Sequence, residues 1–254
     1  TAGKSQQLAL PDHASALAAI FDALGAHGIA PHELGGVGHR IVHGGADLTQ
    51  ARRVTPAVRD AIADCIPLAP LHNPHHIAAI DAVTAMAPDL PQCACFDTAF
   101  HATNPDVARR YALPDSAPEG LQRYGFHGTS YAALTLALPT QSGNAASPCA
   151  ILDGKCVCTP LACASRGGPP MGARGCEIDA GAVLRLARDL GVDATEDLLT
   201  RQSGLLALSG TSADMRDLME TDTPEARFAI AHFCYWAARQ AGSMIAAMGG
   251  VDAI

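Results

Sequence analysis

Residues 123–130, Arg-Tyr-Gly-Phe-His-Gly-Thr-Ser, restrict the local fold more than any other stretch of this chain. Two planar aromatics, an imidazole, two glycines and two hydroxyls fall within these eight residues. Gly125 and Gly128 permit a sharp turn or a close approach to a ligand, because neither carries a Cβ. Thr129 or Ser130 is then expected to cap a helix predicted over residues 131–138. That places His127 just before a helix N-terminus, where backbone N–H groups favour anions. A plain glycine turn ahead of a core helix would look the same, so the rest of the chain has to decide.

With 254 residues the chain is long enough for one large domain or two modest ones. It is 48% hydrophobic and 17% charged, which is the balance of a folded soluble protein rather than a disordered one. Only 4% of it is aromatic, so the core must be built from aliphatic residues and alanine. A formal charge of −8 without basic clusters argues against nucleic acid or an acidic membrane surface as partner. Small anionic ligands stay open, because a few placed arginines reverse the sign inside a cleft. No apolar run has the length of a membrane span and no secretory leader pattern is seen, so the expected location is the cytoplasm.

Nine cysteines show no CxxC pair. Cys93 with Cys95, and Cys156 with Cys158, alternate as strand residues do, and all nine read as reduced, small core or strand residues. A structural zinc site is the lesser reading of that pattern.

Taken in order, Gly3-Lys4-Ser5 has the ending of a phosphate-binding P-loop, but not its first glycine or preceding strand, and chance explains it better. Asp12 caps a helix with Leu17, Ile20, Phe21 and Leu24 as its apolar face. Residues 37–42 form a strand running into His43-Gly44-Gly45, with Arg40 and Val42 on one face. A lone strand arginine is usually solvated, yet beside a valine and a double glycine its planar fork could grip a carboxylate or phosphate. Thr55-Pro56 and Asn73-Pro74 open two helices, the second with Ile77, Ile80 and Val83 inward and a stop at Pro88. His72, His75 and His76 invite a metal reading that Pro74 and the lack of a spaced carboxylate weaken. Residues 92–96 are a short strand with Asp97 at its C-terminal end, where ligands and catalytic groups sit in open α/β sheets.

Beyond the central stretch, Asp153-Gly154 joins two strands of a hairpin. Residues 160–177 are irregular and carry Arg166 and Arg174. Asp179 caps a helix that Gly191 stops, and a short helix starts near Thr195. Thr223-Pro224 opens the longest helix, to about Met248. Its Phe228, Phe233, Tyr235 and Trp236 are expected to pack in the core. Val251-Asp252-Ala253-Ile254 reads as the start of a strand. Arg40, Asp97, His127 and Arg174 thus all lie on strand ends or glycine-rich loops. Two cations, an imidazole and a carboxylate suit phosphoryl transfer to an anionic acceptor, where positioning and charge neutralisation do most of the work. No protein-kinase motif set and no complete P-loop is present.

Six motifs, in order, resemble the acetate kinase (acetokinase) family. They are Gly-His-Arg-Ile-Val-His-Gly-Gly (38–45), Leu-Ala-Pro-Leu-His-Asn-Pro (68–74), Phe-Asp-Thr-Ala-Phe-His (96–101), the stretch at 123–130, Ser-Gly-Leu-Leu-Ala-Leu-Ser-Gly (203–210) and Asp-Met-Arg-Asp-Leu (214–218). The resemblance implies an α/β fold, the two-domain architecture of acetate and sugar kinases, Hsp70 and actin (ribonuclease H-like), incomplete at both ends. Residues 1–99 would belong to an N-terminal acyl-binding domain and 100–254 to a second, nucleotide-binding and dimerisation domain. It implies reversible, ATP- and Mg2+-dependent phosphorylation of acetate to acetyl phosphate, by a homodimer. Carried over by motif, Arg40 would bind the carboxylate or phosphoryl group. Val42, Leu71 and Phe126 would form the methyl pocket, with His72 nearby. Asp97 would be the catalytic carboxylate, and His127 and Arg174 would stabilise the transferring group. Gln141, Ser142, Gly143, Asn144 and Ala145, with Asp214, Met215 and Arg216, would touch the nucleotide, and the metal ligands are unknown.

The departures lie on the nucleotide side. The family's opening Asn-Ala-Gly-Ser-Ser-Ser loop and its Gly-Gly-Ile-Gly-Glu-Asn loop after Val-Asp-Ala-Ile have no match. Its His-Leu-Gly-Asn-Gly loop is Gln141-Ser142-Gly143-Asn144-Ala145 here, and residues 158–168 have drifted from the family's Asp-Thr-Ser-Met-Gly pattern. A protein of these residues alone is therefore expected to show little phosphoryl transfer. Two other readings stay open: a catalytically silent remnant that binds acyl ligands or a partner, and, last, a metal hydrolase using the histidines. The sequence does not choose among acetate, propionate and butyrate as acceptor.

Overall fold

Short strands and helices with well-placed caps alternate through the first part of the chain. The computed structural model describes residues 12–114, 121–137, 149–159, 167–175 and 177–251. They fall into two units, Thr1–Ala99 and Phe100–Ile254. No helix among the described residues is long and apolar enough to cross a membrane.

In the first unit the Asp12 carboxylate accepts the Ser15 N–H at 2.7 Å and starts α1 (His13–Ala26). The predicted apolar face of α1 is not buried: Ile20 is 54% exposed, and no α1 residue is fully covered. Its neighbour is α3 (Asn73–Met86), so α1 lies on the outside and shares its apolar stripe with solvent. Thr55 Oγ1 accepts the Val58 N–H at 3.3 Å and, with Pro56 at the first helical position, starts α2 (Pro56–Asp64). Ile77, Ile80 and Val83 form the buried stripe of α3, which ends at Ala87 ahead of Pro88.

Among the described residues, β1 (Val37–Ile41), β2 (Arg52–Arg53) and β3 (Gln92–Phe96) form a sheet in the order β1-β3-β2. β1 and β3 are parallel, pairing Val37 with Gln92 through to Ile41 with Phe96. β2 runs antiparallel to β3, and its two exposed arginines suit an edge strand. Ile41, Ala94 and Phe96 from the sheet meet Ile62, Ile77 and Ile80 from the helices in one core, closed by Leu48. Each fully buried isoleucine contributes roughly 1.5–3 kcal/mol by leaving water.

The second unit holds α4 (Asp106–Arg109), α5 (Gly128–Ala137), β4 (Ala150–Leu152), β5 (Lys155–Cys158), α6 (Ala180–Leu190), α7 (Val192–Arg201), α8 (Gly204–Ser209), α9 (Met215–Glu220) and α10 (Pro224–Met248). β4 and β5 are the predicted hairpin, with φ of +51° at Asp153 and +74° at Gly154. Two successive positive φ values match the twist of the flanking strands. Asp179 caps α6 through the Ala182 N–H at 3.1 Å, and Gly191 ends it. Gly191 also precedes α7 directly, so that helix starts at Val192 instead of near Thr195.

Ala226 and Ala229 on α10 are fully buried and let α8 and α9 bring Leu205 and Leu218 close. The aromatic face does not pack as expected. Phe233 joins this core, but Phe228 is 58% and Tyr235 66% exposed. At 100° per residue, Ala226, Ala229, Phe233, Gln240 and Met244 define the inward stripe, and Phe228 and Tyr235 fall opposite it. Arg239 lies 4.6 Å over the Trp236 ring. Cys93 lies on β3 as a strand residue, though exposed, whereas Cys234 is exposed on α10 and is neither a core nor a strand residue. Residues 1–11 with Gly3-Lys4-Ser5, and the end of the strand expected after Val251, lie outside the described residues.

Candidate active site

Parallel pairing of β1 with β3 brings their C-terminal ends together, with Arg40 opposite Cys95. Asp97 follows β3, and its N–H donates to the Ile41 carbonyl at 2.9 Å. Arg40 then donates from Nε to Asp97 Oδ1 at 3.1 Å and from Nη2 to Oδ2 at 2.6 Å. The Asp97 side chain is 1% exposed and that of Arg40 57%. A carboxylate buried so completely needs a cation and hydrogen bonds to offset its lost hydration, and the planar fork supplies both. Donating to the Asp97 carboxylate in turn raises the Arg40 pKa, so the guanidinium stays charged. Two of its five N–H donors are directed at Asp97, and the half-exposed guanidinium keeps others for an anion.

The loop after β1 is pinned. His43 is fully buried and its Nδ1 accepts the Gly45 N–H at 3.0 Å. Asn73 Nδ2 donates to the His43 carbonyl at 3.0 Å and the Ile62 carbonyl at 3.1 Å, and Thr98 Oγ1 accepts the Gly44 N–H at 3.1 Å. Val42 is buried in this loop, and Leu71 and His72 are half-buried where the chain turns into α3.

His76, one turn into α3, is a residue that sequence reasoning passed over once the metal reading of the histidines was weakened. Burial holds its imidazole down to about 4, helped by His72 and Arg40 and opposed by Asp97. Its Nε2 is buried with no hydrogen-bond partner among the described residues. His72, His75, Arg40 and Asp97 are the charged and titratable groups acting on it. The unfolded chain takes up a proton at His76 near pH 6.5, and the folded chain only near 4. Stability from the neutral ring is therefore complete above about pH 6.5 and lost as the pH falls toward 4. His76→Asn should flatten this part of the stability–pH curve, read from denaturation midpoints at pH 7.5 and about 5. An unchanged slope would place its source elsewhere.

In the second unit His101 organises the 123–130 stretch. Its Nε2 lies 2.9 Å from the Phe126 carbonyl, and a Cβ on Gly125 would fall 2.1 Å from its ring. Gly125 is thus required by a side chain pressed flat against the backbone, and Gly125→Ala should cost about 1–3 kcal/mol or more through overpacking, measured by denaturation of the second unit. A wild-type midpoint would show that His101 moves aside freely. Phe126 is buried and His127 half-buried. His127 adopts φ of +57°, and its carbonyl accepts the N–H groups of Ser130 at 2.9 Å and Tyr131 at 3.1 Å. It is His127 itself that leads into α5, which starts at Gly128. The left-handed turn at His127 starts the helix early and leaves Thr129 and Ser130 inside its first turn instead of capping it.

Arg174 sits half-buried on a loop tied to the start of α8. The Ser203 N–H donates to the Ala173 carbonyl at 3.0 Å, that of Leu205 to Met171 at 3.0 Å, and that of Leu206 to Gly172 at 2.8 Å. Gly204 has φ of +66°, and a Cβ there would meet the Met171 carbonyl oxygen at 2.0 Å. Gly204 is what lets the 171–174 loop lie against α8, and sequence reasoning missed it; its place directly after Ser203, opening a helix, was the available signal. Asp214 leads into α9, accepting the Arg216 N–H at 2.8 Å and pairing with its guanidinium at 3.1 and 2.6 Å. Arg216 holds the Asp214 carboxyl down to about 2. Met215 is half-buried beside them, and residues 141–145 lie outside the described residues. Arg40, Val42, Leu71, His72 and Asp97 thus belong to the first unit, and Phe126, His127, Arg174 and Asp214–Arg216 to the second.

A model described as the acetokinase family matches residues 1–254. An acetate kinase of Rhodopseudomonas palustris (strain ATCC BAA-98 / CGA009) is 45% identical over 240 residues, covering 88% of this chain and 60% of its own length. One from Deinococcus radiodurans is 42% identical over 239 residues, with 86% and 60% covered. The chain therefore spans about 60% of the length of these curated relatives. Among solved structures, an acetate kinase of Porphyromonas gingivalis superposes with a TM-score of 0.82 at 34% identity, over 95% of this chain and 67% of that one. A propionate kinase of Francisella tularensis gives 0.84 at 32% identity, over 91% and 65%. The fold is the α/β fold of those kinases.

Proposed function

Because the chain belongs to the acetokinase family, we propose that the protein carrying it transfers a phosphoryl group reversibly between ATP and acetate, giving acetyl phosphate and ADP. The observation that carries this reading is the Arg40–Asp97 pair at the C-terminal ends of two parallel strands. A buried carboxylate holds a half-exposed guanidinium in one orientation, with donors left over for an anionic oxygen. That preorganisation suits a reaction whose catalysis is positioning and charge neutralisation.

In this reading the first unit is the acyl side. Arg40 binds the acceptor carboxylate or the transferring group, and Val42 and Leu71 supply apolar contacts to the methyl group, with His72 beside them. Asp97 is the catalytic carboxylate that also keeps Arg40 in place. From the second unit Phe126 adds an apolar contact, and His127 and Arg174 stabilise charge on the transferring phosphoryl group. Gln141–Ala145 and Asp214–Arg216 take the nucleotide, and the second unit also serves a homodimer. The protein works in the cytoplasm.

Mg2+ takes one or two carboxylates together with waters and substrate phosphates. Both Asp97 oxygens accept from Arg40 and both Asp214 oxygens from Arg216, so either carboxylate would have to share its arginine-bound oxygens to hold Mg2+.

The test is acetyl phosphate formation, trapped with hydroxylamine, by the protein supplied with ATP, Mg2+ and acetate, with propionate and butyrate in parallel. Turnover highest with acetate is the expected result. Preference for a longer acid would move the acceptor within the same reaction class, and ATP-dependent acyl phosphate from none of the three acids would end the proposal.

A further inference from the structure

A second constellation lies in the second unit, on side chains that the phosphoryl-transfer reading does not use. Cys149 precedes β4, Cys156 sits on β5, and His101 is the last residue of the Phe-Asp-Thr-Ala-Phe-His stretch that carries Asp97. The hairpin folds the two thiols onto the imidazole. His101 Nδ1 is 3.0 Å from Cys156 Sγ, Cys149 Sγ is 3.3 Å from Cys156 Sγ, and Cys149 Sγ is 4.0 Å from His101 Nδ1. It is the one group of three or more His, Cys, Asp or Glu donors gathered this tightly among the described residues.

The imidazole is oriented for ligation. Its Nε2 lies 2.9 Å from the Phe126 carbonyl, an oxygen that can only accept, so Nε2 carries a proton. In the neutral ring Nδ1 then bears the lone pair, and Nδ1 is the nitrogen facing both sulfurs. A ring N–H given to a backbone carbonyl while the other nitrogen faces the ion is the usual outer arrangement of a metal-bound histidine. His101 and Cys156 are buried, with the ring held edge-on by Phe100 and Tyr131 at 5.6 and 5.8 Å. Thr103 Oγ1 donates to the Cys156 carbonyl at 2.8 Å, fixing the strand that carries the sulfur. Cys149 is half-buried, which leaves an entry path.

We propose that His101, Cys149 and Cys156 bind one Zn2+ ion through Nδ1 and two thiolates, with a fourth position open to water or a small donor. Zn–S bonds of ~2.3 Å and Zn–N bonds of ~2.0–2.1 Å set donor separations of roughly 3.4–3.8 Å in a tetrahedron. The three separations in the structure bracket that range, so small side-chain rotations suffice to admit the ion. Binding releases the thiol protons to solvent and changes no oxidation state. A disulfide between Cys149 and Cys156 is the competing use of the two sulfurs, but it gives the Nδ1 lone pair no task. Through the Phe126 carbonyl, an occupied site would hold the 123–127 loop in the conformation described above.

The experiment uses the protein reduced with a phosphine, stripped with a chelator and titrated with Zn2+ against a chromophoric competitor. One tight Zn2+ per chain is expected, with binding at least ~10-fold weaker in Cys149→Ser and Cys156→Ser. Co2+ added to the unmutated protein should give a thiolate-to-cobalt charge-transfer band, a readout that needs no variant to fold. Loading with Zn2+ should also raise the melting temperature by mass action. Failure of the reduced protein to take up either ion would overturn the proposal, as would Zn2+ affinity unchanged in both serine variants. If the pair is recovered as a disulfide and its reduced form binds no metal, the sulfurs are a redox pair and the zinc site is wrong. None of these readouts depends on phosphoryl transfer, so the two proposals stand or fall separately.

Discussion

Replacing Arg40 by Ala is expected to lower acetyl phosphate formation by about 100- to 1,000-fold, the usual cost of removing a preorganised charge-stabilising donor. Two effects combine. The proposed anionic acceptor would lose the guanidinium, and Asp97, with its side chain 1% exposed, would be left as a buried carboxylate without its cation. Breaking a buried pair on one side costs about 3–5 kcal/mol, and the lower end applies because the Arg40 side chain is 57% exposed to water. Arg40→Lys separates the two, since it keeps the charge but not the fork of donors at 3.1 and 2.6 Å. It should fold nearly as the parent does and still lose at least ~10-fold in rate. Asp97→Asn should lose rate and let Arg40 move, with the acetate KM rising alongside. If Arg40→Ala retains near-parental kcat/KM for acetate, the pair is structural and the proposed chemistry lies elsewhere.

Gly204→Ala should be nearly as damaging, although Gly204 carries no chemistry. The left-handed conformation at φ of +66° costs a non-glycine residue about 1–2 kcal/mol. The added methyl carbon would also meet the Met171 carbonyl oxygen at 2.0 Å and the Arg174 carbonyl oxygen at 2.7 Å, far inside contact distance. Backbone cannot rotate aside as a side chain can, so the 171–175 loop must shift and take Arg174 with it. A displacement of about 1 Å in a positioning group is worth on the order of 100-fold in rate. The expected outcome is a second unit destabilised by at least ~2 kcal/mol and a rate close to that of Arg174→Ala. Combining both substitutions should cost little more than either alone, because they remove one contribution. Fully additive losses would show that Gly204 acts independently of Arg174.

The caps show how far local chemistry carries. Asp12, Thr55, Asp179 and Thr223 each start the helix expected of them, because a short side chain accepting an N–H three residues on needs nothing distant. The hairpin turn at Asp153-Gly154 is equally local. Faces of helices were less legible. The aromatics of α10 invited burial by their hydrophobicity, yet Ala226 and Ala229 form the inward stripe, since close approach of α8 and α9 selects small residues. The start of α5 was misplaced because His127 takes a positive φ, which residue type favours only weakly even for histidine.

The same division runs through the candidate sites. Arg40 and Asp97 could be singled out from sequence because each lies at the end of a short strand, and strand ends are where an open α/β sheet presents polar groups. Their bidentate pairing required the parallel register of β1 and β3, which no local signal specifies. Gly125 and Gly204 read as turn glycines, and only the folded chain shows one pressed by an imidazole and the other by two carbonyls. His101, Cys149 and Cys156 carry no metal-site spacing because their nitrogen and sulfurs come from a 3-10 turn at Ala99–Thr103 and from a hairpin dozens of residues away. Sequence alone determined the caps, the turn and the chemistry each residue can offer, since these depend on atoms within a few residues. Which groups meet was decided by long-range packing, because contact between distant segments depends on how the whole core closes.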